Sequence, residues 1–256
     1  MIIPKQLLKF LISYPKLEFI HVPKTGGVSI RNSLRKTILH KVALNNFIIK
    51  YHNHYKSFSD IYDSQVKKVG VRCGALIVLC DPVSWYQSFY NFKMNSNPKD
   101  SIKIYPRMEN NTWDNYFSDC VLLENGTEAL KKWFRPWEIY HNRIVKNLQA
   151  GEGIYSAYYR FYSSLDIVKP AQSTGALIHS HALEILRMEC LQEDLNNVLK
   201  FYYPWLPSIR LAHKNASTEN TEFPTRLNDS QKCIIEKRDS SIYKTLLKWH
   251  RPGRKS

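Results

Sequence analysis

Glycine and proline are scarce, 9 and 12 among 256 residues, while aromatic side chains make up 13%, which excludes a collagen-like or low-complexity chain. The five cysteines, at 73, 80, 120, 190 and 233, form no Cys-x-x-Cys pair and cannot all pair with one another, which argues against a disulfide framework and a zinc ribbon. Free thiols in a reducing compartment, and no metal, are the expectation. No long apolar run is present: Leu7, Leu8, Phe10, Leu11 and Ile12 cluster near the N-terminus, but Lys5, Lys9, Lys16 and two prolines interrupt them. That stretch falls short of the ~20 residues a membrane span requires, so no transmembrane segment is expected. Acidic side chains are also in deficit, 22 against 37 basic ones, for a net charge of +15. Such a surplus attracts polyanions, whether nucleic acid, a phosphorylated cofactor or an acidic glycan. No nucleic-acid-binding motif accompanies the charge, so a nucleic-acid partner is not expected.

What is there suits a compact chain. At 43% hydrophobic, this length can bury close to about three quarters of its unfolded surface, and residues 1–249 read as one domain followed by a basic tail, 250–256. Residues 17–22 read as a strand, a Pro-Lys-Thr-Gly-Gly turn follows, and Ile30, Leu34 and Ile38 then recur at helical spacing. A second buried strand is expected at Ala75–Leu79, broken by Asp81-Pro82 and followed by a helix to about Met94. Trp113 to Asn147 reads as helical, Leu183–Met188 as a third strand and Gln192–Phe201 as a further helix. Asn228 with Gln231 three residues on resembles a capping box opening a terminal helix lined by Ile234, Ile235, Ile242, Leu246 and Leu247. Strands alternating with helices predict an α/β fold with a mostly parallel sheet flanked by helices.

The chemistry concentrates in Phe19-Ile-His-Val-Pro-Lys-Thr-Gly-Gly-Val-Ser29. A glycine turn between a strand and a helix N-terminus directs backbone N–H groups outward, with the positive end of the helix dipole behind them, a setting for phosphate or sulfate. Lys24 adds a point charge, and Thr25 and Ser29 add hydroxyls. The motif is not a Walker A loop, whose lysine follows the second glycine; here lysine precedes both.

This segment closely resembles the 5′-phosphosulfate loop of the carbohydrate sulfotransferases, whose form is Phe-Ile-His-Val-Pro-Lys-Thr-Gly-Gly-Thr-Ser. Val78-Leu-Cys-Asp-Pro-Val-Ser-Trp-Tyr-Gln-Ser-Phe-Tyr90 is similar to the family's 3′-phosphate segment, and Ile185-Leu-Arg-Met-Glu-Cys-Leu-Gln-Glu-Asp-Leu195 to a third block. His213-Lys-Asn-Ala-Ser217 resembles a fourth, less specific one. The blocks occur in family order, and the group most like this chain is the heparan sulfate 2-O-sulfotransferase-like, Golgi membrane-type enzymes.

The resemblance implies a fold related to the P-loop NTPases and sulfuryl transfer from 3′-phosphoadenosine 5′-phosphosulfate (PAPS) to a hydroxyl of a carbohydrate or glycan acceptor, acidic or neutral. It implies Lys24 as the group that neutralises the bridging oxygen, with the amides of Gly26, Gly27, Val28 and Ser29 on the 5′-phosphate, Thr25 beside them, and Ser88 toward the 3′-phosphate. A histidine between the first two blocks suits the general base, and Tyr51-His-Asn-His-Tyr55 offers His52 and His54, with His54 preferred. His21 is expected to be a core residue. Golgi members carry an N-terminal anchor, and its lack here favours the cytoplasm, with the Golgi lumen as the alternative if an anchor has been trimmed.

The departures from the family pattern are specific. Cys80 and Trp85 stand where the family has arginines, and Val28 where it has a threonine. Arg72 or Lys93 are candidates to compensate the lost cations, and a degenerate relative that binds a polyanion without catalysis is the alternative reading. Glu189, with Arg187 two residues away, is expected to serve a structural ion pair or loop anchor rather than a catalytic carboxylate pair with Asp194. The cluster Tyr155, Tyr158, Tyr159, Phe161 and Tyr162 is left open between core and ring-stacking roles. Asn-x-Ser/Thr sequons stand at Asn110, Asn125, Asn215 and Asn228.

Overall fold

The computed structural model describes residues 16–36, 49–52, 73–94, 112–134, 138–146, 148–163, 183–211 and 227–249. In chain order the elements are β1 (Lys16–Ile20), α1 (Gly27–Lys36), β2 (Ile49–His52), β3 (Cys73–Leu79), α2 (Pro82–Met94) and α3 (Trp113–Tyr116). A π-helical turn (Phe117–Leu122) continues α3, followed by α4 (Gly126–Phe134), α5 (Glu138–Lys146) and α6 (Ile154–Ser163). Next come β4 (Leu183–Arg187), a 3₁₀ turn (Met188–Cys190), α7 (Leu191–Tyr202), α8 (Asp229–Arg238) and α9 (Ser240–Trp249). The chain divides into two compact units, Met1–Leu79 with Arg160–Ala216, and Cys80–Tyr159 with Ser217–Ser256.

The first unit is built on a sheet of order β2-β1-β3-β4 in which every pairing is parallel. This is the expected α/β architecture. The expected strands at 17–22, 75–79 and 183–188 are β1, β3 and β4. Both faces of the central strands are out of water: Leu17, Phe19, Leu76 and Val78 alternate with Glu18, Ile20, Ala75 and Ile77, all fully buried. Such strands carry continuous apolar runs because each face needs cover. One face packs Leu17, Phe19, Leu76, Val78 and Leu186 with Ile30 of α1 and with Leu191, Leu195 and Leu199 of α7. The leucine spacing of four residues puts these α7 side chains on one stripe. At the other side of α7, Asn196 exchanges two hydrogen bonds with the backbone of Ile209, at 3.1 and 2.7 Å, and Gln192 accepts from Leu211 N–H at 2.7 Å, which binds residues 209–211 to the helix.

The second unit has an aromatic core. Trp85 stacks on Phe89 and on Tyr155, and Tyr116 is surrounded by Tyr86, Phe89, Tyr90, Trp113 and Trp133. Asp119 is buried beneath it, accepting from Trp133 Nε1 and Asn125 Nδ2 at 2.7 Å each and pairing with Lys132 at 2.6 Å. These donors hold its carboxyl below the usual range against the opposing effect of burial. The expected capping box is present: Asn228 Oδ1 accepts Gln231 N–H at 2.8 Å and Gln231 Oε1 accepts Asn228 N–H at 3.3 Å. The single terminal helix expected from Ile234 to Leu247 is two, α8 and α9, broken at Asp239. At the break the Asp239 carboxylate accepts Ser156 N–H at 2.7 Å, in the first turn of α6. In α6 the four tyrosines of the aromatic cluster, Tyr155, Tyr158, Tyr159 and Tyr162, are buried core residues, while Phe161 is half-buried. Among the described residues no helix is long and apolar enough to cross a membrane.

Candidate functional site

With the order β2-β1-β3-β4, the chain leaves β1 through α1 to β2 on one side, while β3 lies on the other. The topological switch point of the sheet therefore falls between β1 and β3, and in open parallel sheets ligands bind beyond the carboxyl ends of the strands at such a point. The segment His21–Gly26 emerges there.

Its conformation is specified locally. Lys24 and Gly26 both take left-handed backbone angles, φ +65° and +75°. Glycine tolerates this freely, whereas a lysine held at positive φ is a strained position supported by its surroundings. Part of the support is Thr25, fully buried, whose hydroxyl donates to the Val22 carbonyl at 2.9 Å and closes the turn. The Thr25 hydroxyl proton is thus committed to the loop itself. The Gly26 carbonyl accepts from Ser29 N–H at 2.9 Å and Ile30 N–H at 3.3 Å, forming the first turn of α1. The Ser29 amide is engaged in that turn, while Gly27 and Val28 occupy the first two helical positions, whose N–H groups have no intrahelical acceptor. Burial lowers the Lys24 ammonium to about 8, so it is charged at neutral pH yet strongly desolvated, which raises its worth to an anion.

β2, a strand the sequence pattern did not suggest, brings one candidate histidine to the same end of the sheet. The register pairs Ile20 with His52, so His52 closes the edge strand beside the last residue of β1. His54 lies outside the described residues. His21 is buried with its ring stacked at 6.2 Å from Phe19, the core position expected of it. Val28 stands within α1.

The second block begins at the end of β3, and from Cys80 on it belongs to the other unit. Asp81 caps α2, accepting Ser84 N–H at 2.8 Å through one oxygen and Tyr243 O–H at 2.7 Å through the other. Cys80 and Trp85 meet a common neighbour: the Tyr155 hydroxyl accepts Cys80 N–H at 3.0 Å, and the Tyr155 ring lies parallel to the Trp85 indole. Ser88 is half-buried on α2. Lys93, a candidate replacement cation, is 1% exposed and lies 5.9 Å from the Phe89 ring centroid. Arg72 and the block His213–Ser217 lie outside the described residues.

The third block is a structural clamp. Arg187 holds Asp194 through Nε at 2.9 Å and Nη2 at 2.8 Å, and its backbone N–H donates to the same carboxylate at 2.8 Å. The pair joins the end of β4 to the first turns of α7: a loop anchor is present, but its carboxylate is Asp194 and not the expected Glu189, which is exposed on the 3₁₀ turn. Between them Met188 projects over the Lys24 loop, a placement no sequence signal marks. Of the four sequon asparagines, Asn125 is exposed and donates to Asp119, and Asn228 is the cap of α8.

Comparison with protein-family models, with curated proteins and with solved structures finds no match to this chain. The functional reading therefore rests on the motifs and on the geometry of the Lys24 loop.

Proposed function

We propose that the chain is a PAPS-dependent sulfotransferase that transfers the sulfuryl group to a hydroxyl of a carbohydrate or glycan acceptor, on a P-loop-like sulfotransferase fold. The observation that carries the reading is Lys24: a desolvated ammonium in a strained loop, between β1 and the N-terminus of α1, at the switch point of a parallel sheet. In-line group transfer between oxygens asks little covalent chemistry of a protein and depends on positioning and on charge stabilisation at the bridging oxygen. Lys24 supplies the charge, Gly27 and Val28 N–H groups suit the 5′-phosphate, and His52 or His54 takes the acceptor proton. The +15 charge favours the anionic donor and an acidic acceptor.

A second reading, a relative of the same fold that binds a polyanionic glycan or nucleotide without turnover, is favoured by Cys80 and Trp85. Neither carries a cation, and both are engaged with Tyr155. Calorimetric titration with 3′-phosphoadenosine 5′-phosphate, beside AMP and a Lys24→Ala variant, tests the enzyme reading. Micromolar affinity that requires both the 3′-phosphate and Lys24 supports it. Heparin affinity without nucleotide binding or PAPS-dependent transfer supports the second reading and overturns the first.

A further inference from the structure

Gly26 and Met188 are separated by more than 160 residues of sequence yet are in direct contact within the first unit. A Cβ on Gly26 would stand 2.6 Å from Met188 Sδ, 3.0 Å from its Cε and 3.3 Å from Leu191 Cδ2, so the thioether fills the space that any other residue's side chain would need. Met188 is nonetheless 40% exposed, one side against the loop and the other open to solvent. Its backbone is fixed on both flanks, by Arg187 clamped to Asp194 and by Leu191 seated in the core.

The geometry points to Met188 as a positioning residue of the Lys24 loop: it presses on Gly26 and holds the left-handed turn in which the loop presents its lysine and the α1 amides to an anion. Three observations converge on this role. The loop holds Lys24 at positive φ, a strain that packing must offset, and Gly26 two residues on shares the left-handed conformation without that cost. The contact falls on Gly26, the residue whose carbonyl organises the first turn of α1. The Arg187–Asp194 clamp places the methionine at the carboxyl end of β4, the end of the sheet at which the loop emerges. Methionine is suited to the task, because an unbranched thioether fits an irregular gap over a backbone.

The ligand consequence rests on the anion-site reading above; the loop consequence does not, and the experiment separates them. Amide hydrogen exchange of the full chain without ligand is followed in the peptide covering residues 22–30 for wild type, Met188→Ala and Met188→Leu. The expected result is exchange about tenfold faster in Met188→Ala, with wild-type protection restored by Met188→Leu, which keeps the side-chain volume. Unchanged exchange in Met188→Ala, with the global unfolding midpoint near wild type, overturns the proposal. The same three proteins are titrated with 3′-phosphoadenosine 5′-phosphate: a loss of about tenfold in affinity for Met188→Ala and recovery in Met188→Leu is expected. Equal affinity in wild type and Met188→Ala overturns the positioning role. If wild type itself does not bind the nucleotide, the sulfotransferase reading fails, and the exchange rates alone decide for or against Met188.

Discussion

Tyr155 lies flat against Trp85, with ring centroids 4.6 Å apart and planes within 10° of parallel, while its hydroxyl accepts the backbone N–H of Cys80 at 3.0 Å. The two positions at which a family-like chain would carry arginines are thereby tied into one aromatic core through a third residue. Trp85 is fully buried and also stacks on Phe89 at 5.3 Å. Trp85→Arg puts an ion into this stack and is expected to destabilise the chain by roughly 3 kcal/mol or more. Tyr155→Phe keeps the stack and removes the acceptor of Cys80 N–H, for a smaller loss of about 1–3 kcal/mol. Urea unfolding of both variants checks this; a Trp85→Arg protein as stable as wild type would show that position 85 tolerates a cation after all.

If the chain binds the nucleotide as proposed, Lys24 makes that binding pH-dependent. With its ammonium lowered to about 8 in the free protein, nucleotide affinity is expected to hold through neutral pH and to decline as pH rises past that value. Lys24→Ala is expected to lower affinity by about 10- to 100-fold at pH 7, the loss of one charge-assisted contact, and to flatten the profile. Titrations at pH 6.5, 7.5, 8.5 and 9.5 provide the comparison.

Lys93 makes the stability of the fold pH-dependent. Burial in the aromatic core lowers its ammonium to about 8 from 10.5. Between those values the unfolded chain binds the extra proton, so stability rises with pH across that window, and below it the folded protein carries the full cost of a buried charge. Lys93→Met is expected to raise stability by on the order of 2 kcal/mol at pH 7. The difference from wild type should shrink between pH 8 and pH 10.5. Thermal melts of the two proteins across that range are sufficient.

Asp239 has the opposite sign. Burial raises its carboxyl from 3.8 to about 6, against the opposing hydrogen bonds from Ser156 and Tyr86. The folded state binds the proton more tightly, so stability is greatest below the unfolded value and is lost as pH rises through about 6. Asp239→Asn keeps an oxygen for Ser156 N–H and removes the ionisation; stability should become flat between pH 4 and pH 7 and exceed wild type at pH 7 by on the order of 2 kcal/mol. A retained acid-side slope in the variant would place the titration elsewhere. Gly153→Ala, by contrast, drives a Cβ into the Asp239 carboxyl and is expected to destabilise at every pH.

Much of the scaffold is legible from local pattern. The apolar run at 75–79 announces a strand covered on both faces, the largely apolar segments at 17–20 and 183–186 announce its neighbours, the leucines of α7 declare its buried stripe, and Asn228 with Gln231 marks a helix start. The glycine turn after β1 is equally plain, because left-handed backbone and a helix N-terminus leave few residue choices. Each of these depends on neighbours within a turn or two of chain, where periodicity and capping act. Ile49–His52 is too short and too polar to declare itself, and it is a strand because β1 offers it an edge. Arg187 pairs with Asp194 because α7 turns back along β4, and Asp239, at the break of the terminal helix, reaches the first turn of α6 83 residues away. Tyr155 reaches Cys80 across 75 residues, and Met188 settles on Gly26 by the same kind of long-range closure. Such contacts are chosen by packing among distant segments, where a side chain's partner depends on how the whole chain fills space, and no local spacing encodes that choice.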